Sequence, residues 1–238
     1  MRSTDRRSVR TRLALREALA DEIMETGDLS KVTVTQVTKR ADVTRRTFYS
    51  HYRDIPALVG DVEAETLTDL APLAQGIANV TLPVLERTIQ SFDPCPGSEQ
   101  VLAYFRQNGK LLSALLGEGG DPAFVQKIKD MVREEVEDRA REGFSPVVAA
   151  AFDYYLTFVI SAEVGVLVRW LTTGMAESDD LMARIMTTLL FVRPGDLYGR
   201  PIGFDFARLG GVDAANELAQ SALGENALAS QREETVHG

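Results

Sequence analysis

Residues Thr33–Tyr52 read TVTQVTKRADVTRRTFYSHY. Thr33 and Gln36 form a Thr-x-x-Gln capping box, in which two side chains satisfy the free N–H groups at a helix start. The helix it opens runs through Val37 to Ala41. Asp42-Val43 makes a short break, and Thr44 is placed to cap a further helix ending near Tyr52. Two short helices joined by a tight turn must bury Val37, Ala41, Val43 and Phe48. The remaining face of the second helix offers Arg45, Arg46, Thr47, Tyr49, Ser50 and His51. An element this small fits a DNA major groove. Arginine binds guanine or phosphate bidentately, and hydroxyls suit phosphate oxygens. A plain solvated face would not require the capping box, the turn and the donor cluster to coincide.

Working outward, the punctuation is helical throughout. Leu15, Ala18, Leu19 and Ile23 mark the buried stripe of a first helix, which Gly27 ends. After Tyr52, Pro56 falls in the first turn of a fourth helix, where a missing N–H costs little. Leu82, Leu85 and Ile89 suggest a helix ending before Asp93-Pro94-Cys95-Pro96-Gly97. Ser98 is expected to cap one helix carrying Val101, Leu102, Phe105, Leu112 and Leu115, broken by Gly119-Gly120. Asp121-Pro122 and Ser145-Pro146 each read as a cap followed by proline at the first helical position. The segment Pro146–Thr173 is long and apolar, and Gly174 ends it. Ser178 opens a last strong helix, with Asp179 and Asp180 at its positive end and Pro194 as its stop. One weak helix is expected around Val212–Leu223. The pattern shows no strand alternation and no repeat.

The 238 residues hold 45% hydrophobic and 26% charged side chains, an ordinary globular balance. The net charge of −9 is unevenly spread. Residues 1–53 carry 12 Lys and Arg against 7 Asp and Glu, a net of +5. The remainder carries 14 against 28, a net of −14. Charges beyond about 10 Å are largely screened at ~0.1 M salt, so phosphate affinity follows the local patch. A basic head on an acidic body is compatible with DNA. No apolar run is expected to reach the ~20 residues of a membrane span. The basic N-terminus lacks the apolar stretch of a secretory signal. Cys95 is the single cysteine, which excludes an intramolecular disulfide. A cytoplasmic location is expected.

AxVTRRTFYSHYRDIPAL resembles the recognition-helix region of the tetracycline-repressor (TetR) family, whose third helix commonly reads Ser/Thr-x-x-Thr-aromatic/Leu-Tyr-x-His-aromatic. Thr44, Thr47, Phe48, Tyr49, His51 and Tyr52 match position by position. The likeness runs from about Thr11 to Leu58. It implies a homodimer whose third helix reads the major groove of a double-stranded operator. It further implies that Tyr49 and His51 contact DNA, that Thr47 lies near bases, and that Thr33 and Thr35 touch phosphate. Phe48 and Tyr52 would be core. Asp42 stands where the turn often has glycine, and Arg46 replaces a frequent small residue. FDYYLTFVISAEVGVLVRWLTTGMAESDDLMARIM resembles the C-terminal region of the branch that includes dihydroxyacetone-kinase operon regulators, over roughly Thr88–Met186. Some members of that branch are coactivators.

These readings predict an all-α fold. Residues 1–53 form a three-helix helix-turn-helix DNA-binding domain. Residues 54–194 form a larger helical ligand-binding and dimerisation domain, and 195–238 a weakly structured C-terminal extension. The resemblance places the dimer seam on the last two regular helices, Pro146–Thr173 and Ser178–Phe191. Ser161, Gly165 and Thr172 share a face there that permits close approach. Phe105, Met131, Tyr155 and Phe158 are candidate walls of an effector pocket. Glu163, inside VISAEVGVLVRW, either faces solvent, pairs across the seam or meets a polar ligand group. The carboxylates Glu134, Glu135, Glu137, Asp138 and Glu142 interleave with Arg133, Arg139 and Arg141, as on a solvated helix face. The histidines, His51 and His237, make no metal-ligand spacing, and no phosphate-cradling loop occurs. No cofactor, metal or catalysis is expected. The expected function is a transcriptional regulator, a repressor, whose operator affinity a small-molecule effector controls. The other reading is a DNA-binding coactivator controlled by a protein partner.

Overall fold

A computed structural model describes residues 3–140 and 146–190: ten α-helices, one 3-10 turn and, among those residues, no strand. The fold is all-α, as predicted. The expected helix at Val212–Leu223, the extension 195–238 with His237, the stop at Pro194, the cap Ser145 and residues Arg141, Glu142 and Phe191 lie outside the described residues.

The head comprises α1 (Ser3–Thr26), the turn Leu29–Lys31, α2 (Val34–Arg40) and α3 (Arg45–Tyr49). Leu15, Leu19 and Ile23 of α1 bury against Val37 and Phe48, and all five are nearly inaccessible. Gly27 closes α1 at φ +65°, a left-handed conformation that favours glycine. The capping box forms as the spacing dictates: Gln36 N–H donates to Thr33 Oγ1 at 3.3 Å, and Thr33 N–H to Gln36 Oε1 at 2.9 Å. Such a cap contributes about 0.5–2 kcal/mol. Thr44 caps α3, accepting from Thr47 N–H at 3.1 Å. Asp42 takes φ +52°, the left-handed turn that aspartate tolerates where glycine is common. The helix expected to reach Tyr52 stops at Tyr49.

α4 (Ile55–Ala78) starts at its cap Asp54, with Pro56 in the first turn, and at 1.5 Å per residue spans about 36 Å. The body adds α5 (Leu82–Ser91), α6 (Ser98–Gln107), α7 (Gly109–Leu116), α8 (Pro122–Ala140), α9 (Pro146–Thr172) and α10 (Asp179–Leu189). α4 packs on α8 and α6, α9 on α7 and α8, and α10 on α6, while α1 packs on α7. Arg106 of α6 fastens the α9–α10 connection. It donates to Asp179 at 2.6 Å and to the Met175 carbonyl at 3.1 Å, and lies 4.9 Å over the Trp170 ring.

Three expectations need correction. The helix expected from Ser98 to Leu115 is two helices, broken at Asn108; a Cβ on Gly109 would meet Met175 Cε at 2.5 Å. Ser98 is not a cap: Gly97 holds that position at φ +93°, and Ser98 Oγ donates back to the Cys95 carbonyl at 2.6 Å. One stretch of α9, Phe152–Thr172, is long and apolar enough to cross a membrane by length and composition. A helix that is apolar on more than one face produces the same run when packed in a protein interior. Here Leu156, Ile160, Val164, Leu167 and Leu171 bury in the core.

Candidate nucleic-acid interface and body cavity

The turn between α2 and α3 places their exposed residues side by side. Arg45, Arg46 and Tyr49 are all exposed, Tyr49 at 57% despite its size. Arg45 donates to Thr35 Oγ1 at 2.6 Å, which joins the two helices across the turn. Phe48, on the opposite side of α3, is wholly buried and meets the Tyr49 ring edge-on at 5.6 Å. The remaining residues are more committed. Thr33 Oγ1 serves the capping box, and Thr47 Oγ1 lies 2.9 Å from Thr44 Oγ1. Ser50 Oγ donates to the Thr47 carbonyl at 2.7 Å. His51 is half-buried beside Tyr52. One contribution was not read from the pattern: α1 begins at Ser3, so Arg6, Arg7 and Arg10 are exposed on its first turns. A basic terminus without apolar periodicity gave no sign of being helical.

The head is clamped to α4. The Tyr52 hydroxyl donates to Asp61 Oδ2 at 2.8 Å, and Arg16 reaches the same oxygen at 3.0 Å while also pairing with Glu65. Burial and the Asp61 hydrogen bond push the Tyr52 phenol up to about 12. Burial works against the Asp61 carboxylate, yet the Tyr52 hydroxyl and the Arg16 guanidinium hold it below its ordinary range. Arg40 pairs with Glu22 at 2.6 Å and with Glu25, fixing α2 on α1. The head also meets the body directly. Leu29 N–H donates to the Gly119 carbonyl at 2.7 Å, and Lys110 pairs with Asp21 at 2.7 Å.

At the far end of α4 lies a cavity of about 250 Å³. Leu70, Ala74 and Ile77 of α4 form one side and Phe105 of α6 another. α8 contributes Met131 and Val136, α9 contributes Ile160 and Glu163, and α10 contributes Met186. Phe105 and Met131 therefore line it. Tyr155 and Phe158 do not: they are 47% and 70% exposed. At 100° per residue both fall away from the inward stripe of Leu156, Ile160 and Val164, so the pocket walls expected at these two positions are corrected to outer-face residues. On that outer face Phe158 is joined by Tyr154, Gly165 and Thr172, all exposed, with Ser161 half-buried. A Cβ on Gly165 would meet nothing within 4 Å. Glu163 lies on the cavity side, and burial pushes its carboxyl up to about 7.

The TetR_C_8 family, described as a transcriptional regulator C-terminal region, matches residues 93–191. A solved crystal structure of a TetR transcriptional regulator from Streptococcus agalactiae 2603V is 26% identical, with a TM-score of 0.52 over 79% of this chain and 97% of that one. An uncharacterized HTH-type transcriptional regulator, YxbF, of Bacillus subtilis (strain 168) is 44% identical over 48 residues. That match takes in 20% of this chain and spans only 13% of the relative's length. An all-α fold with a helix-turn-helix head, a regulator-type C-terminal region and these likenesses together support a TetR-family transcriptional regulator.

Proposed function

We propose that the protein is a homodimer that binds a DNA operator through α3 and represses transcription until a small molecule occupies the body cavity. The observation that carries this reading is the Arg45–Thr35 hydrogen bond on an exposed, polar surface of a two-helix unit. It holds a guanidinium against a hydroxyl where phosphate or a guanine edge would dock. Thr33, Arg46, Thr47, Tyr49, Ser50 and His51 complete the proposed interface. The resemblance of Thr88–Met186 favours, more finely, the branch of dihydroxyacetone-kinase operon regulators. A cytoplasmic location accords with DNA binding.

Control follows from α4. Its one end carries Asp61 and Glu65, which hold the head through Arg16 and Tyr52. Nine residues on from Asp61, about 13.5 Å along the helix, Leu70 lines the cavity. A ligand that prefers one tilt of α4 shifts the spacing of two heads, and ~1–3 kcal/mol of such preference changes affinity five- to 150-fold. The proposed seam is the outer face of α9, with Ser161, Gly165 and Thr172, together with α10.

A second reading has its own observation. Tyr154 and Phe158 are exposed aromatics on one face of the body, and such a face also suits a protein partner, as a coactivator would require. The test of the first reading is selection of bound duplexes from a random DNA library, followed by sedimentation of the protein and the complex. Recovery of a two-fold symmetric site bound by a dimer supports it. A monomer in solution that binds DNA and is unmoved by any ligand in the cavity moves the assignment to the coactivator.

A further inference from the structure

The body cavity is apolar on every described wall except at Glu163, the one charged side chain lining it. Phe105, Met131, Val136, Ile160 and Met186 surround it with hydrocarbon and thioether groups. We propose that this cavity binds a small apolar organic cation, a protonated amine on a hydrocarbon body, and that Glu163 holds its charge. This rests on the reading of the cavity as an effector site.

Size limits the ligand first. An engineered cavity of about 150 Å³ takes benzene, and drug-sized pockets run from about 300 Å³ upward. The 250 Å³ here falls between them, which suits a single ring with a short chain or a medium alkyl chain. Charge limits it next. Among the described residues no hydrogen-bond donor or cation pairs with the Glu163 carboxylate. Arg169 is exposed, six positions further along α9. The titratable group that senses Glu163 is Cys95, whose thiol burial raises, with Glu163 adding to the rise; it supplies no positive charge. A carboxylate against apolar walls without a partner is costly, and the same site becomes favourable once a cation arrives. Burial alone pushes the carboxyl up to about 7, as a group lacking such a partner should behave. An anionic ligand would meet like charge, and a neutral hydroxyl would offer one hydrogen bond without balancing the charge.

The experiment compares octylamine, octanol and octanoate, which share a chain and differ in charge, by calorimetric titration of the full-length protein. The wild type should bind octylamine at least about tenfold more tightly than octanol, the range of a desolvated charge-assisted hydrogen bond, and octanoate most weakly. In Glu163→Gln octanol binding should persist while the preference for the amine falls to within about threefold. Equal binding of amine and alcohol by the wild type, or a preference for octanoate, overturns the cation assignment and leaves the cavity as a ligand site. An amine preference that survives in Glu163→Gln removes Glu163 from the role. If none of the three binds, the cavity reading falls and the cation assignment with it. The wild-type ranking decides the matter even if the variant does not fold.

Discussion

The Arg45 guanidinium donates to the Thr35 hydroxyl at 2.6 Å, so the first residue of α3 is oriented by the second residue of α2. An oriented arginine loses less side-chain entropy when it meets phosphate or a base edge. Arg45→Ala should weaken operator binding. If the lost contact is to phosphate, the slope of log affinity against log salt flattens by about 0.9. Thr35→Val should weaken binding less, by removing the tether and leaving the charge. Fluorescence anisotropy across a salt series reads both. Wild-type affinity and slope in Arg45→Ala and Arg46→Ala alike would remove α3 from the DNA interface.

Asp61 joins the head to α4 through Tyr52 and Arg16, and the joint should respond to pH at both extremes. The Asp61 carboxyl titrates below its unfolded value, so its stabilisation is full above about pH 4 and is lost as pH falls toward its folded value. The Tyr52 phenol titrates above its unfolded value of about 10, so its contribution is full below that and is lost as pH rises through about 12. Because Asp61 is partly solvated, a double-mutant cycle of Arg16→Ala and Asp61→Asn should give a coupling of only about 0.5–1 kcal/mol. Urea melts between pH 3 and 11 supply the measurement. A coupling of zero, with pH curves of wild type and Asp61→Asn superimposed, would dissolve the clamp.

The head was legible in the sequence because its signals are local. A capping box, a left-handed Asp42 and a Thr44 cap each act within four residues, and each forms as the spacing requires. The body was less so. Tyr155 and Phe158 lie one and two positions from Leu156, and composition alone does not say which of two apolar faces turns inward on a long helix such as α9. The place of Glu163 depends on α4, α6, α8 and α10 converging on it, and no local pattern encodes that convergence. The role of Arg106 is set in the same way, by partners about 70 residues away.

The outer face of α9 yields a prediction that separates dimerisation from folding. Gly165 has open space beside it within the protomer, so Gly165→Leu should fold and melt like the wild type when it is a monomer. Overpacking in a close helix contact typically costs ~1–3 kcal/mol, so the same variant should dissociate at concentrations where the wild type is dimeric. Phe158→Glu, on the same face, should act in the same direction. Sedimentation at micromolar concentration reads both. A wild-type monomer ends the seam assignment; a fully dimeric Gly165→Leu ends only the role of that position.

Gly119 carries the last prediction, because there the body touches the head without α4. Its carbonyl accepts from Leu29 N–H at 2.7 Å, and a Cβ at this position would lie 2.5 Å from the Gly27 carbonyl oxygen. That oxygen belongs to backbone, and Gly27 is itself held at φ +65° to close α1, so it has little freedom to yield. Gly119→Ala should therefore push the loop between α7 and α8 off the head and break the Leu29 bond. A loss of about 1–3 kcal/mol is expected from the clash, visible as a lower urea midpoint. Amide exchange at Leu29 should speed up, because its donor then faces water. Operator affinity should depend less on whatever fills the cavity, since one of the contacts that join body to head is cut. An unchanged urea midpoint with an equally slow Leu29 amide would mean that the Gly119 contact contributes nothing to the joint, which then rests on α4, on α1 against α7 and on the Lys110–Asp21 pair.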